Sequence, residues 1–369
     1  MSVLFQETRI GNLALKNRFV RSATWEGMAE SDGRVSSQLL ELMGELAAGG
    51  VGLIITGHAY VSKEGQAGPR QMGIYSQELV PGLAQMVQAV HERGGKIAVQ
   101  LAHAGILAAY KLSGMEPMGP SAPNTEGAPG REMSPQEIGQ VVEAFGRAAA
   151  WAVEAGFDAV QIHAAHGYLL SQFLSPYFNR RQDRYGGSVE NRARALLEVV
   201  SRAREAIGPE RALLVKMNSQ DFLEGGLSLE DSAQVAQMLA RAGVDAIEVS
   251  GGMRLAGPKF MPSRLAIKEE RQEAYFKDAA RAIRKRAGIP VILVGGIRSF
   301  QVAERLVEEE VADYISMSRP FIREPWLINR WKAGDLRRAF CVSDNQCFGP
   351  AQAGQGIYCV VARREAAGD

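Results

Sequence analysis

His163, His166 and Tyr168 fall within the six-residue stretch His163-Ala164-Ala165-His166-Gly167-Tyr168. Two neutral imidazoles three residues apart can donate two hydrogen bonds to one small anionic or carbonyl oxygen, and a phenol two residues further on can deliver a proton nearby. A lone histidine is as often a satisfied core or surface residue. Three such groups together are harder to explain that way. The apolar run Phe157-Asp158-Ala159-Val160-Gln161-Ile162 precedes them. Preceded by Gly156 and rich in Val and Ile, it reads as a buried strand, so the polar groups emerge at its C-terminal end. In a parallel α/β protein that end is the reactive face.

Eight apolar runs have this strand-like character: Arg18 to Ala23, Leu53 to Thr56, Ile97 to Leu101, Ala159 to His163, Leu213 to Met217, Ala246 to Val249, Val291 to Val294, and Tyr314 to Met317. Stretches with apolar spacing of a helix lie between them, such as Val80-Leu83-Val87-Val90, and several end in glycine before the next strand. Eight β/α units in one run predict an α/β fold, a (β/α)8 TIM barrel, rather than an open doubly wound sheet. Arg9 to Leu15, with Gly11-Asn12 between apolar alternations, predicts an N-terminal β-hairpin that plugs one barrel end. No linker divides the chain, so residues 1–369 are expected to form a single domain. Residues 104–134, with four prolines and five glycines, form either an ordered active-site loop or a flexible excursion. Residues 335–369 form a C-terminal tail with little periodicity.

Positions at or just after each strand end should carry the site. They are Ala23 and Thr24, Gly57 and His58, Gln100 and His103, His163 and His166, Lys216, Ser250-Gly251-Gly252, Gly295-Gly296, and Ser318-Arg319. Barrels often bind phosphate at the last two units. Gly295 and Gly296 offer unhindered backbone N–H groups, and Ser318 and Arg319 add a hydroxyl and a permanent cation, although glycine pairs also serve as plain tight turns. Thr24, Gln100 and Lys216 suit a flat heterocycle with a carbonyl-rich edge: an amide and a hydroxyl to read it, a cation to stabilise negative charge on reduction. Flavin mononucleotide (FMN) fits the set. The plainer reading of Lys216 is an ion pair with a neighbouring carboxylate.

Composition narrows the partners. Of 369 residues, 46% are hydrophobic and 22% charged, enough for a sizeable core. A net charge of +1 supplies no global field for nucleic acid or an acidic membrane. The N-terminal residues Met1 to Thr8 lack a basic region followed by an apolar stretch, and no run approaches the ~18 apolar residues of a membrane helix. Cytoplasmic residence and a small-molecule partner are the expectations. The three cysteines, Cys341, Cys347 and Cys359, all lie near the C-terminus, which excludes a disulfide framework for the body.

Over residues 3 to 330 the chain resembles the Old Yellow Enzyme family of FMN-dependent NAD(P)H oxidoreductases. The matching motifs are Leu15-Lys16-Asn17-Arg18, Gln100-Leu101-Ala102-His103-Ala104-Gly105, and His163 to Leu170. Phe173-Leu174-Ser175-Pro176, Asp183 to Arg192 and Val294-Gly295-Gly296-Ile297-Arg298 follow in order. The resemblance implies that Ala23, Thr24, Gly57 and Gln100 hold the isoalloxazine, and Gly295, Gly296, Ser318 and Arg319 the phosphate. It implies that His163 and His166 bind the oxygen of an activated alkene, that Tyr168 donates the proton, and that NADH or NADPH reduces the FMN first. A homo-oligomer is implied by family habit alone.

Two departures bear on function. The family usually has arginine at Lys216; a point cation without a bidentate fork tunes the flavin differently. After Thr24 the chain reads Trp25-Glu26-Gly27-Met28, so Trp25 rather than a tyrosine meets the substrate. The tail, Cys341-Val342-Ser343-Asp344-Asn345-Gln346-Cys347 with Cys359 beyond, resembles the four-cysteine iron–sulfur motif of larger dienoyl-CoA reductase-like relatives, with Asp344 in place of one cysteine. Four thiolates are the usual ligand set for a cluster, so a metal-free tail is favoured over a labile cluster or zinc. The leading reading is an ene-reductase for α,β-unsaturated carbonyl compounds. The alternatives are a dienoyl-CoA reductase-like or demethylating flavoenzyme, a metal-dependent barrel hydrolase using His163 and His166, and a flavin-binding protein without turnover.

Overall fold

A computed structural model describes residues 2–125 and 127–368. Met1 of the N-terminal segment, Glu126 of the long loop and Asp369 of the tail lie outside the described residues. Thr8–Ile10 (β1) and Leu13–Leu15 (β2) form the expected antiparallel hairpin, with Ile10 opposite Leu13. Its turn needs glycine: Gly11 has φ +54°, a backbone region that side chains disfavour.

Eight parallel strands close the barrel: Phe19–Arg21 (β3), Leu53–Tyr60 (β4), Ile97–Ala102 (β5), Ala159–Ala164 (β8), Ala212–Asn218 (β9), Ala246–Ser250 (β10), Val291–Val294 (β11) and Tyr314–Met317 (β12). Between β5 and β8, Met118–Gly119 (β6) pairs with Arg131–Glu132 (β7) inside the long loop. The barrel strands follow sequence order, and β12 pairs with β3. Helices cover the outside, the main ones capped by Ser36, Ser134, Ser188 and Ser228 side chains. β4 runs four residues further than expected because a bulge between Ile55 and His58 resets its register against β5.

Alternation along the strands divides the barrel wall. Outward residues such as Val99, Ile162, Val215 and Val249 pack beneath the helices in the main core. Inward, Val20, Ala98, Ala159, Leu214, Ala246 and Tyr314 form an apolar layer with the hairpin's Ile10, Leu13 and Leu15. The hairpin therefore plugs the N-terminal end. Two residues further along the same strands, and so on the same face, stand Ser22, Gln100, Gln161, Lys216, Glu248 and Ser316, all buried and all polar. The tail folds back over β11 and β12: Arg298 Nη2 donates to Ser343 Oγ at 2.8 Å, and Arg319 Nη1 to Asn345 Oδ1 at 2.7 Å.

Candidate active site

A cavity of about 1030 Å³ opens at the C-terminal ends of the strands. Ala23, Thr24, Trp25, Gln100, His163, His166, Tyr168, Lys216 and Ser318, all singled out in the sequence, line it together. His58 and Ser250 join them, and Leu107, Phe178, Met253, Leu255, Met261 and Phe348 supply apolar walls.

The rim is an aromatic and imidazole cluster. The Tyr168 hydroxyl lies 3.2 Å from His58 Nε2, and the Tyr168 and His163 rings have centroids 5.0 Å apart. His166 stands 5.3 Å from His163, with Nε2 2.7 Å from Ser250 Oγ. Its backbone is held at φ +62°, and its N–H donates to Asn218 Oδ1. A non-glycine residue in that conformation is strained, and here the strain aims an imidazole into the cavity. His163 Nδ1 and Trp25 Nε1 are buried without a partner. Burial, with smaller contributions from neighbouring imidazoles and Lys216, holds His163 and His166 well below the ordinary histidine value. Burial and then Lys216 lower His58 to about 4. Burial alone pushes Tyr168 up to about 12. At neutral pH the rim therefore presents uncharged imidazoles and a protonated phenol.

The floor is a hydrogen-bonded chain that ends on Glu248. Gln100 Nε2 donates to Gln161 Oε1 at 2.6 Å, and Gln161 Nε2 to Glu248 Oε2 at 2.9 Å. Glu248 Oε1 accepts from Ser22 Oγ (2.7 Å), Ser316 Oγ (2.9 Å) and Lys216 Nζ (3.3 Å). Lys216 is thus ion-paired with a fully buried carboxylate while also lining the cavity. Burial raises the Glu248 carboxyl, but Lys216 and the three neutral donors outweigh it and hold the group below the ordinary carboxylate value. Sequence reasoning missed Gln161 and Glu248. The available signal was a polar residue at an inward strand position, two residues before His163 and two before Ser250.

Other expected residues sit elsewhere. Gly57 is absent from the lining: its N–H donates to Glu26 Oε1 at 3.0 Å, and a Cβ there would come within 2.1 Å of Glu26 Oε2. Glycine is needed at that place for the close approach of Glu26. Gly295 and Gly296 back onto Tyr275 and Phe276, where added Cβ atoms would meet ring carbons at 2.7 to 3.1 Å. Arg319 turns to Asn345, which itself lines the cavity. His103 is buried outside the cavity lining, its Nδ1 accepting the Gly105 N–H at 3.0 Å. Asn345, Phe348 and Gln352 reach the cavity from the tail, a contribution that its weak periodicity concealed.

The three cysteines are free thiols and, with Asp344 and Arg319, line a void of about 10 Å³. Burial first, then Cys341, pushes the Cys347 thiol up to about 12. Among the described residues, no group of three or more His, Cys, Asp or Glu side chains is placed to hold a metal ion. Nor is any helix among them long and apolar enough to cross a membrane.

Residues 3–336 match the profile of the NADH:flavin oxidoreductase / NADH oxidase family. The chain is 37% identical over 355 residues to an NADH oxidase of Thermoanaerobacter brockii, covering 94% of this chain and 53% of that protein. It therefore spans about half the length of that relative. Against an NADPH dehydrogenase of Listeria welshimeri, identity is 37% over 331 residues, covering 88% of this chain and 93% of the other. The solved structure of an old yellow enzyme homologue from Zymomonas mobilis superposes with a TM-score of 0.76 at 30% identity, covering 93% and 96% of the two chains. A parallel barrel whose strand ends carry an amide, a lysine and paired imidazoles, joined to these matches, shows that the chain belongs to the NADH:flavin oxidoreductase / NADH oxidase family.

Proposed function

We propose that the protein is an NAD(P)H-dependent ene-reductase that reduces the C=C bond of α,β-unsaturated carbonyl compounds. The observation that carries this reading is the unpartnered, buried Nδ1 of His163, set beside His166 and Tyr168 on one cavity. A buried polar atom without a partner costs roughly 1–3 kcal/mol, so a ligand oxygen that accepts from it is favoured there.

The cavity fits FMN. Its volume lies at the upper end of small-molecule sites, enough for a cofactor and a second reactant. Thr24, Gln100 and Lys216 would meet the heterocycle; Ser318 and, from the tail, Asn345 would meet the phosphate, with Arg319 behind Asn345 as its hydrogen-bond donor. Held there, FMN would supply hydride transfer between NAD(P)H and the alkene.

His163 and His166 donate hydrogen bonds to the carbonyl oxygen and draw electron density towards it. As neutral donors they do so without adding charge to the cavity. Tyr168 delivers its proton to the carbon next to the carbonyl, and the proton is replaced from solvent. A phenol raised to about 12 stays protonated until a strongly basic carbon forms beside it. Apolar Leu107, Met253 and Leu255 line the cavity and suit a hydrophobic substrate body. Three free thiols agree with a reducing, cytoplasmic setting.

An anaerobic visible spectrum tests the reading. Flavin bands should bleach on addition of NADPH or NADH and return on addition of cyclohexenone. Bands that bleach and stay bleached with the enone would remove the ene-reductase assignment, and a protein that binds no FMN would remove the flavoenzyme reading altogether.

A further inference from the structure

Glu248 has no task in the mechanism above. It is fully buried on β10 and does not line the cavity, yet four donors converge on it from Ser22, Gln161, Lys216 and Ser316. An ionised carboxylate is an acceptor only, and this imposes a direction on everything bonded to it. Gln161 must turn its NH2 group to Glu248, so its carbonyl oxygen faces β5. There it takes the Nε2 hydrogen of Gln100 at 2.6 Å. The one side-chain hydrogen bond of Gln100 among the described residues is the one it donates to Gln161, so its Oε1 receives no protein donor there, on a side chain that lines the cavity.

We propose that Glu248 is a positioning residue for the cofactor: through Gln161 it holds the Gln100 amide with its carbonyl oxygen available to the flavin, and through Lys216 it cancels the cation on the cavity floor. The imide N–H of a flavin requires an acceptor, and a Gln100 amide turned the other way would present a donor to it instead. The same carboxylate sets the charge that the cofactor meets. A lone lysine would favour the electron-rich, reduced cofactor, whereas a lysine paired 3.3 Å from Glu248 does so less. The assignment of the Gln100 orientation follows from the acceptor-only end of the chain and needs no other evidence of which amide atom is nitrogen.

The proposal rests on FMN occupying this cavity, so the wild-type protein is titrated with FMN first; absence of binding there overturns the cofactor reading and this proposal with it, whereas wild-type binding that the variants leave unchanged overturns the proposal alone. Gln161→Leu cuts the relay and leaves the Lys216–Glu248 pair in place. It should weaken FMN binding about tenfold, read by flavin fluorescence, with little change in midpoint potential. Glu248→Gln removes both the fixed polarity and the counter-charge. It should weaken binding and shift the potential to more positive values, read by dye equilibration. A general loosening of the barrel would move both readouts in both variants, so the split between them carries the test. Folded variants with wild-type affinity and potential would overturn the proposal, as would a Gln161→Leu potential shift equal to that of Glu248→Gln. Should Glu248→Gln fail to fold, Gln161→Leu decides the relay by itself: FMN affinity equal to that of the wild type would overturn it.

Discussion

On the floor of the cavity Ser22, Gln100, Gln161, Lys216, Glu248 and Ser316 bond to one another, and of their chain only the Gln100 carbonyl oxygen, which no donor among the described residues reaches, is left open to the cavity. At the rim, built from the same strands and the loops after them, His163 Nδ1 and Trp25 Nε1 are buried with no partner at all. The floor is a network whose orientation is settled before anything binds. The rim keeps hydrogen-bonding capacity in reserve, at a cost to stability, and that capacity is what a reacting molecule can use. Substitutions in the two regions should therefore fail differently.

The largest expected effect is at the rim. Tyr168→Phe should slow reduction of cyclohexenone by about 10²–10⁴-fold, measured as the rate at which the flavin bands return in a stopped-flow mix. Its thermal midpoint should stay near wild type. Equal loss of stability in this variant and in a floor variant would dissolve the contrast.

Next is Lys216→Met, which strips Glu248 of its counter-ion and leaves a buried carboxylate uncompensated. A loss of about 3–5 kcal/mol is expected, read from urea denaturation. An undiminished stability would mean that the floor is not held by its ion pair. Smaller again, His163→Ala removes a group already lacking a partner on one nitrogen. Stability should fall by about 1 kcal/mol, while the KM for cyclohexenone rises about tenfold.

A separate expectation, which bears on rim and barrel together, is the pH dependence. His58, His103, His163 and His166 have values lowered by burial, with His58 and His103 at about 4 against an ordinary 6.5. Protons bind the unfolded chain more strongly, so this contribution to stability is fully present above about pH 6.5 and is lost as pH falls through the folded values. Thermal midpoints should decline from pH 6.5 towards 4, and the slope should be shallower in a His163→Gln/His166→Gln double variant. An unchanged slope would place the titration in other groups.

The sequence by itself determined the barrel and the identity of most of the polar residues that line the cavity. Runs of Val, Ile and Leu at strand length, glycines after the helices, and Gly11-Asn12 between alternating apolar residues are local features, and local sterics decide them. Eight such runs in order leave little freedom for the architecture, and strand-end positions then name His163, His166, Gln100 and Lys216. What the tertiary structure alone decided is which polar groups meet. Thr24 and Ser318 are 294 residues apart, Ser22 and Glu248 226 apart, and His58 and Tyr168 110 apart. No periodicity encodes such pairs. The bulge in β4 turns His58 towards Tyr168, and the tail delivers Asn345 to Arg319. Glu248 lies in an ordinary apolar run; only closure of the barrel surrounds it with donors, because burying a carboxylate there is tolerable only when each of its lone pairs is claimed.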